Sequence, residues 1–489
     1  MTCWAGAKAP AFCMQGKPSR LSNPLWMKKE PRSLIVKTVS REQRNDMLLN
    51  QPVNKAIPRL AIPTIFTMLI TTIYNMADTF FVSQIGTSAS GAVGVIFSAM
   101  SIIQAIAFTI GMGSGANLSR CLGAGQEEEG RRYVSVGFFT AFGVGIVIAV
   151  LGLSCIDPLV RFLGATDTIA PYARDYATYI FYATPFQMCS FVLNNFLRFE
   201  GMATYGMIGM VVGGVLNMIL DPILIFGCGM GTAGAAVATA ISQVVSFCIL
   251  LYMTNHRSDA ISIRLKNFRP TLRMYGRILY TGLPSLGRQG IASVSNILLN
   301  ITAGVHGDAA IAAMSIVGRC VMFINSSVIG FGQGFQPVCA FSYGAGRYTR
   351  VREAFWYCVK VTTCILVVLG VLALIFAEPV VTVFRRNDSD VINIGTLALR
   401  LQLITVPLWG FIVMSNMFTQ SIGYGFSATV ISVARQGLFL IPALLILPHV
   451  LGLLGIQCAQ PVADSFAFVL AWLVVRGVLK RLKTMPDKA

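Results

Sequence analysis

The sequence predicts an all-α membrane protein whose twelve transmembrane helices form two pseudo-symmetric six-helix lobes. Three observations predict it: a scarcity of charged residues, a recurrence of apolar runs long enough to cross a bilayer, and a duplication with a shift of about 221 residues. Over 489 residues the chain is 55% hydrophobic and 12% charged, whereas in soluble domains roughly a quarter of residues are charged.

The first 55 residues are polar and basic, contain Pro10, Pro18, Pro24 and Pro31, and lack an apolar core of the secretory type. They read as a disordered leader. Apolar runs follow at 60–83, 92–118, 133–155, 177–197, 205–226 and 233–253, and then at 278–304, 309–337, 355–376, 391–418, 424–447 and 452–475. At 1.5 Å per residue, about 20 residues cover roughly 30 Å of hydrocarbon. The expected organisation is therefore a leader at 1–55, an N-lobe at 56–254, a linker at 255–277, a C-lobe at 278–480 and a tail at 481–489.

The net charge of +18 would suit a nucleic-acid partner only if the basic residues shared one exposed surface. They alternate between loops instead. One set of loops carries Arg120, Arg131, Arg132, Arg198, Arg257, Arg264, Lys266 and Arg277, with Arg476, Lys480 and Arg481 in the tail. The opposite set holds only Arg161, Arg174, Arg385 and Arg386. Under the positive-inside rule this places both termini in the cytoplasm. Twelve cysteines are scattered without metal-ligand spacing and read as packing residues.

The duplication is an ordered series. Ile62-Pro63 falls on Leu283-Pro284, Gly111-Met-Gly113-Ser-Gly115 on Gly330-Phe-Gly332-Gln-Gly334, and Gly123-Ala-Gly125 on Gly344-Ala-Gly346. Asp157-Pro158 falls on Glu378-Pro379, and Pro185, Asn194 and Gly201 fall on Pro407, Asn416 and Gly423. With six spans per half, the pseudo-two-fold axis lies along the membrane normal. The Gly-x-Gly-x-Gly runs sit inside apolar helices, which favours close helix packing over dinucleotide binding.

Ionisable residues at bilayer depth are expensive and invite a functional explanation. In the N-lobe they are Asp78, in span one beyond the bending point Pro63, and Asp221, in span five within Asn217-Met-Ile-Leu-Asp221-Pro222. The i, i+4 spacing puts Asn217 and Asp221 on one face, and Thr239 in span six adds a hydroxyl. Two carboxylates, an amide and a hydroxyl offer hard oxygen ligands for Na⁺ or, at low dielectric, a carboxyl that can take a proton. No other metal is expected. In the C-lobe, Asp464 is expected to neutralise Arg288 or Arg319 near mid-span, while Lys360, Arg400 and Arg435 snorkel from span ends. Glu200 beside Arg198 reads as interfacial. Tyr74, Phe81 and Gln84 are candidates for lining a substrate cavity.

Ala61-Ile-Pro63 with Tyr74-Asn-Met-Ala-Asp78, Leu197-Arg-Phe-Glu200-Gly201, Asn217-Met-Ile-Leu-Asp221-Pro222 and Gly234-Ala-Ala-Val-Ala-Thr239 together resemble the multidrug and toxic compound extrusion (MATE) family, in its MepA-type bacterial branch, over nearly all of 55–480. The resemblance implies a V-shaped two-lobe fold that exports cationic or amphiphilic compounds across the bacterial cytoplasmic membrane in exchange for H⁺ or Na⁺. It also implies that Asp78, Asn217, Asp221 and Thr239 form the N-lobe cation site and that span one bends at Pro63. Spans seven and ten hold no Asp or Glu here, so a second cation site in the C-lobe is not expected. The alternative is a flippase for lipid-linked precursors, which would favour a strongly cationic central cavity. No clustered catalytic constellation suggests an enzyme. No cofactor is expected beyond the coupling ion, the partners expected are small amphiphilic substrates and membrane lipid, and the protein is expected to be a monomer.

Overall fold

The structure, a computed structural model, describes residues 41–258, 261, 263–384 and 388–488. Residues 1–40 of the expected leader, and Arg385 and Arg386, lie outside the described residues. The helices are α1 (Arg41–Leu49), α2 (Val53–Ser83), α3 (Thr87–Gly123), α4 (Glu127–Ser154), α5 (Ile156–Phe162), α6 (Ala170–Phe199), α7 (Ala203–Pro222) and α8 (Gly231–Arg257). Beyond the linker come α9 (Leu272–Gly304), α10 (Asp308–Gly344), α11 (Tyr348–Ile375), α12 (Ala377–Phe384), α13 (Ser389–Ser421), α14 (Gly425–Val433), α15 (Leu440–Leu451) and α16 (Leu453–Thr484). Short π-helical segments, Ile223–Gly227 and Ala434–Phe439, extend α7 and join α14 to α15. Ten spans are long and apolar enough to cross a membrane by length and composition. The equally long α6 and α9, diluted by charged residues such as Arg174, Asp175, Arg277 and Arg288, complete the twelve.

Helices suit this setting because they satisfy every backbone N–H and C=O internally. Several buried hydroxyls bond the helix backbone in the same way: Thr109 donates to the Ala105 carbonyl at 2.7 Å and Thr184 to that of Ile180 at 2.9 Å. A threonine can therefore sit in an apolar span without an orphaned donor.

The repeat is also a repeat of packing. In the N-lobe α6 is the central helix, packed on α3, α4 and α8; in the C-lobe α13 is central, packed on α10, α11 and α16. The pair α2–α7 recurs as α9–α14. The turns repeat too: after α3, Gly125 adopts φ +75° and the Gln126 N–H reaches the Cys121 carbonyl at 2.8 Å. After α10, Gly346 adopts φ +75° and the Arg347 N–H reaches Ser342 at 2.9 Å. This six-to-one closure needs a left-handed residue, which is why glycine stands at both positions.

Between the lobes α3 packs on α9 and, symmetrically, α10 packs on α2. These contacts lie in the halves of the helices nearest the basic loops, a side called here the basic face. A Cβ on Gly113 would lie 2.9 Å from the Ile278 carbonyl carbon, and one on Gly282 would lie 2.8 Å from that of Thr109. Gly123 faces the Phe341 carbonyl while Gly344 faces that of Arg120, a reciprocal crossing of α3 and α10 about the pseudo-two-fold axis. The glycine runs thus serve close backbone approach. Toward the opposite face a cavity lies between the same helices, bordered by Met68, Thr72 and Asn75 of α2, Arg288, Gln289 and Ser293 of α9 and Met322 of α10. The lobes are closed on the basic face and open on the other.

Polar side chains bolt this closure. Arg198, 2% exposed, crosses from α6 to α10, where it donates to the Gln333 carbonyl at 2.9 Å and to Gln336 Oε1 at 2.8 Å; it also bonds Asn195. Gln336 donates onward to Gln420 at 3.2 Å, and Gln420 to Ser285 at 3.0 Å. Arg198 is thus a buried bridge between lobes and not the loop residue expected from charge counting. Replacing Gly344 with Val should force the lobes apart here, because the opposing atoms are backbone and cannot rotate away. Spin labels at the exposed positions Gln126 and Arg347 should show a longer distance in that variant; an unchanged distance distribution would contradict the closure described.

The expectation of disorder up to residue 55 fails from Arg41 onward. The helix α1 docks through buried Met47 and Leu48, and Arg44 pairs with Glu200 at 2.7 Å. Glu200 is fully buried, not interfacial, and also accepts from the Ser258 hydroxyl at 2.7 Å. The charge and prolines of the leader's first part conceal an end that only its docking site reveals, formed by α10 and Arg350 of the C-lobe together with Glu200 of the N-lobe.

Candidate functional site

Four helices of the N-lobe converge on one acidic cluster. Asp78 of α2 is buried and accepts a hydrogen bond from the Tyr176 hydroxyl of α6 at 3.2 Å. On α7, Asn217 donates to Asp221 Oδ1 at 3.1 Å and to the Thr239 hydroxyl of α8 at 3.2 Å. The one-turn spacing of Asn217 and Asp221 permits their contact, and Pro222 ends regular α7 immediately afterwards. Asp78 and Asp221 interact electrostatically. Tyr176 also interacts with Asp221 and Thr239, so its phenol joins the two parts of the cluster. Three buried oxygens remain without a hydrogen-bond partner: Asp78 Oδ1, Asn217 Oδ1 and Asp221 Oδ2. Buried polar groups are ordinarily paired, so three unpaired acceptors in one cluster are the arrangement a small cation or a proton would complete. Asn217 and Thr239 also border a space of about 10 Å³, close to the room one water needs.

A larger cavity opens between the lobes above the closed basic face. It has two adjoining parts of about 320 and 220 Å³ that share Phe97, Gln104, Arg288, Gln289 and Met322 among their walls. The first part extends to Asn416 and Arg435 of the C-lobe, and the second to Tyr74, Asn75 and Gln187 of the N-lobe. Tyr74 borders both the central cavity and the small space beside Asn217 and Thr239. Tyr74 is the residue common to the walls of the two spaces.

The model of the MatE family matches twice, over residues 63–223 and again over 284–445. This chain belongs to the MatE family. The start of the second match lies 221 residues after that of the first (284 − 63), the shift found within the sequence. Among relatives, the chain is 27% identical over 436 residues to the multidrug export protein MepA of Staphylococcus haemolyticus, covering 89% of this chain and 95% of that protein. Among solved structures, a multidrug resistance MATE transporter in its outward-facing conformation aligns with a TM-score of 0.84 at 28% identity, over 91% of this chain and 99% of that one. A transporter of the wider superfamily from Pyrococcus furiosus, described as having a binding pocket of reversed polarity, aligns with a TM-score of 0.85 at 28% identity, over 92% and 100%.

In this MatE transporter the four residues expected at the cation site do come together. Pro63 is buried within α2, which passes through it as one continuous helix. Just beyond it the Thr64 hydroxyl donates to the Gly330 carbonyl of α10 at 2.6 Å. Of the cavity candidates only Tyr74 lines the central space; Phe81 packs against the hydrophobic core and Gln84 is the exposed C-cap of α2. The expected pairing of Asp464 with Arg288 or Arg319 does not occur. Asp464 accepts from Arg435 at 2.7 Å, from Trp409 Nε1 at 2.7 Å and from Gln460 at 2.9 Å, while Arg435 stacks over Trp409 at 4.3 Å. Arg435 is the eleventh of the 27 residues of Gly425–Leu451, so it lies well inside the span and does not snorkel, and the π-helical turn there brings it against α16. Sequence reasoning missed Tyr176, because nothing local separates it from the other tyrosines of the apolar spans.

Proposed function

We propose that this chain is a cation-coupled antiporter that exports amphiphilic small molecules across the cytoplasmic membrane, with Asp78, Asn217, Asp221 and Thr239 as the site for H⁺ or Na⁺. The single observation that carries the coupling is the set of three buried, unpartnered oxygens on Asp78, Asn217 and Asp221. A membrane-buried carboxylate with so few donors is costly when charged and empty. Loading the site relieves that cost and shifts the balance between two lobe arrangements, because a ligand moves an equilibrium only through its different affinity for the two states. The names of the relatives, multidrug export proteins, favour export over the flipping of lipid-linked precursors, and the strongly cationic cavity that flipping would need is met only by Arg288, since Arg435 is paired with Asp464.

The experiment is dye efflux from inverted vesicles energised separately by a proton or a sodium gradient. Efflux under neither gradient would overturn the reading. Orientation is tested alongside it: cysteine labelling in intact cells should leave Gln126 and Lys266 protected and modify Thr87. Modification of Lys266 from outside would reverse the cytoplasmic assignment of the basic face.

A further inference from the structure

The central cavity is positively charged. Among the described residues no Asp or Glu lines either part of it. Arg435 also lines it, but its charge is balanced by Asp464 at 2.7 Å. Arg288 of α9 lines both parts and has no hydrogen-bond or ion-pair partner among the described residues. Beneath the cavity floor Arg198 adds a second positive charge whose partners are all neutral: the carbonyl of Gln333, itself a lining residue, the amides of Gln336 and Asn195, and the Met112 sulfur. The acidic cluster lies behind Tyr74 and supplies no lining atom from Asp78 or Asp221 to the central space. Around Arg288 stand neutral donors and acceptors, Gln104, Gln289 and Asn325, whose Oδ1 is buried without a partner. Phe97, Met322 and Ile329 form the apolar wall beside them.

We propose that this cavity selects amphiphiles carrying an anionic group such as a carboxylate, sulfonate or phosphate, with the Arg288 guanidinium as receptor for that group and the Phe97, Met322 and Ile329 surface holding the apolar body. A guanidinium without a protein acceptor presents its fork of donors to whatever enters, and it pairs with oxyanions in a planar two-point geometry. In a partly dehydrated cavity the same charge disfavours a cation, which gains no partner there. The inference deepens the export reading and relies on it only for the cavity's being the substrate site. Loading of the acidic cluster cannot expel an anion by charge competition. Release must then follow from a change of shape, and Tyr74, which borders both sites, is where that change reaches the substrate.

The test uses the purified full-length chain in detergent with no gradient and three probes that share one fluorophore: dansylglycine (anionic), dansylamide (neutral) and dansylcadaverine (cationic). Dansylglycine should bind tightest and dansylcadaverine weakest. Arg288→Gln should weaken dansylglycine roughly tenfold or more, the scale of one charge-assisted hydrogen bond, and dansylamide by less than about twofold. Arg288→Lys should keep most of the preference. Tighter binding of dansylcadaverine than dansylglycine, or an equal loss for all three probes in Arg288→Gln, overturns the proposal. If Arg288→Gln fails to fold, the wild-type order and the Arg288→Lys variant decide it. Because binding is read without a gradient, failure of ion-driven efflux in vesicles would refute the antiport reading and leave this result standing, and the converse also holds.

Discussion

Asp78→Asn is expected to abolish gradient-driven efflux while leaving a folded protein that still binds substrate. The variant keeps the shape of the side chain and an oxygen that can accept from Tyr176, as Asp78 does at 3.2 Å. It removes the charge and the proton-binding capacity that the coupling step requires. The mechanical consequence follows from α2. On both sides of Pro63 the helix is tied to α10, with Ala61 against Gly334, Ile65 against Gly330, Thr64 bonded to the Gly330 carbonyl and, further along, Thr72 bonded to Ser326. Beyond Thr72 the segment bonds within its own lobe, as where Asp78 accepts from Tyr176 at 3.2 Å. Proline removes one rung of the helical ladder, so a bend there would break the Thr64 and Thr72 ties to α10 and carry the segment bearing Asp78 away from the C-lobe. Asp78 lies fifteen residues beyond Pro63, about 22 Å along a straight helix. A small bend at the proline therefore moves the carboxylate a long way. Asp221→Asn should be nearly as damaging, and Glu378→Gln, exposed on α12, should matter little. Efflux in inverted vesicles, with binding measured on the same preparations, checks all three; sustained efflux in Asp78→Asn would sink the mechanism.

Asp464→Asn is expected to lower stability by about 3–5 kcal/mol, the usual penalty for leaving one partner of a buried ion pair uncompensated. The Asp464 side chain is fully buried and that of Arg435 is 12% exposed. One carboxylate serves donors on three helical segments: Arg435 of the π segment, Trp409 and Thr405 of α13 and Gln460 of its own α16. The pair thus ties the fifth and sixth spans of the C-lobe to its central helix. A double variant, Asp464→Leu with Arg435→Met, should recover much of the loss, since a well-packed apolar replacement of a buried pair is often neutral or better. Thermal unfolding in detergent reads both. If the double variant is as unstable as Asp464→Asn, the pair's charge is not what holds these helices. Arg319→Gln, which removes the partner expected from sequence, should leave the midpoint close to wild type.

The legible parts of the chain were those that depend on local composition or on periodicity. Apolar length determines a span, because the bilayer has one thickness and each residue of a helix advances 1.5 Å. The order of Pro63 and Pro284, of Gly125 and Gly346, and of Gly201 and Gly423 determines the duplication. The spacing of Asn217 and Asp221 determines that they share a face, and their contact at 3.1 Å follows. What the tertiary structure alone decided is which buried charge meets which. Depth within a span constrains one coordinate of a side chain; the rotation of its helix and the identity of the neighbour constrain the other two. Arg435 takes Asp464 because a π-helical turn and the packing against α16 place it there, and nothing in the linear order distinguishes it from Arg288 or Arg319. With that carboxylate spent, Arg288 is left unpaired in the cavity, and the sign of the charge presented to a substrate comes from a pairing between spans that only folding completes.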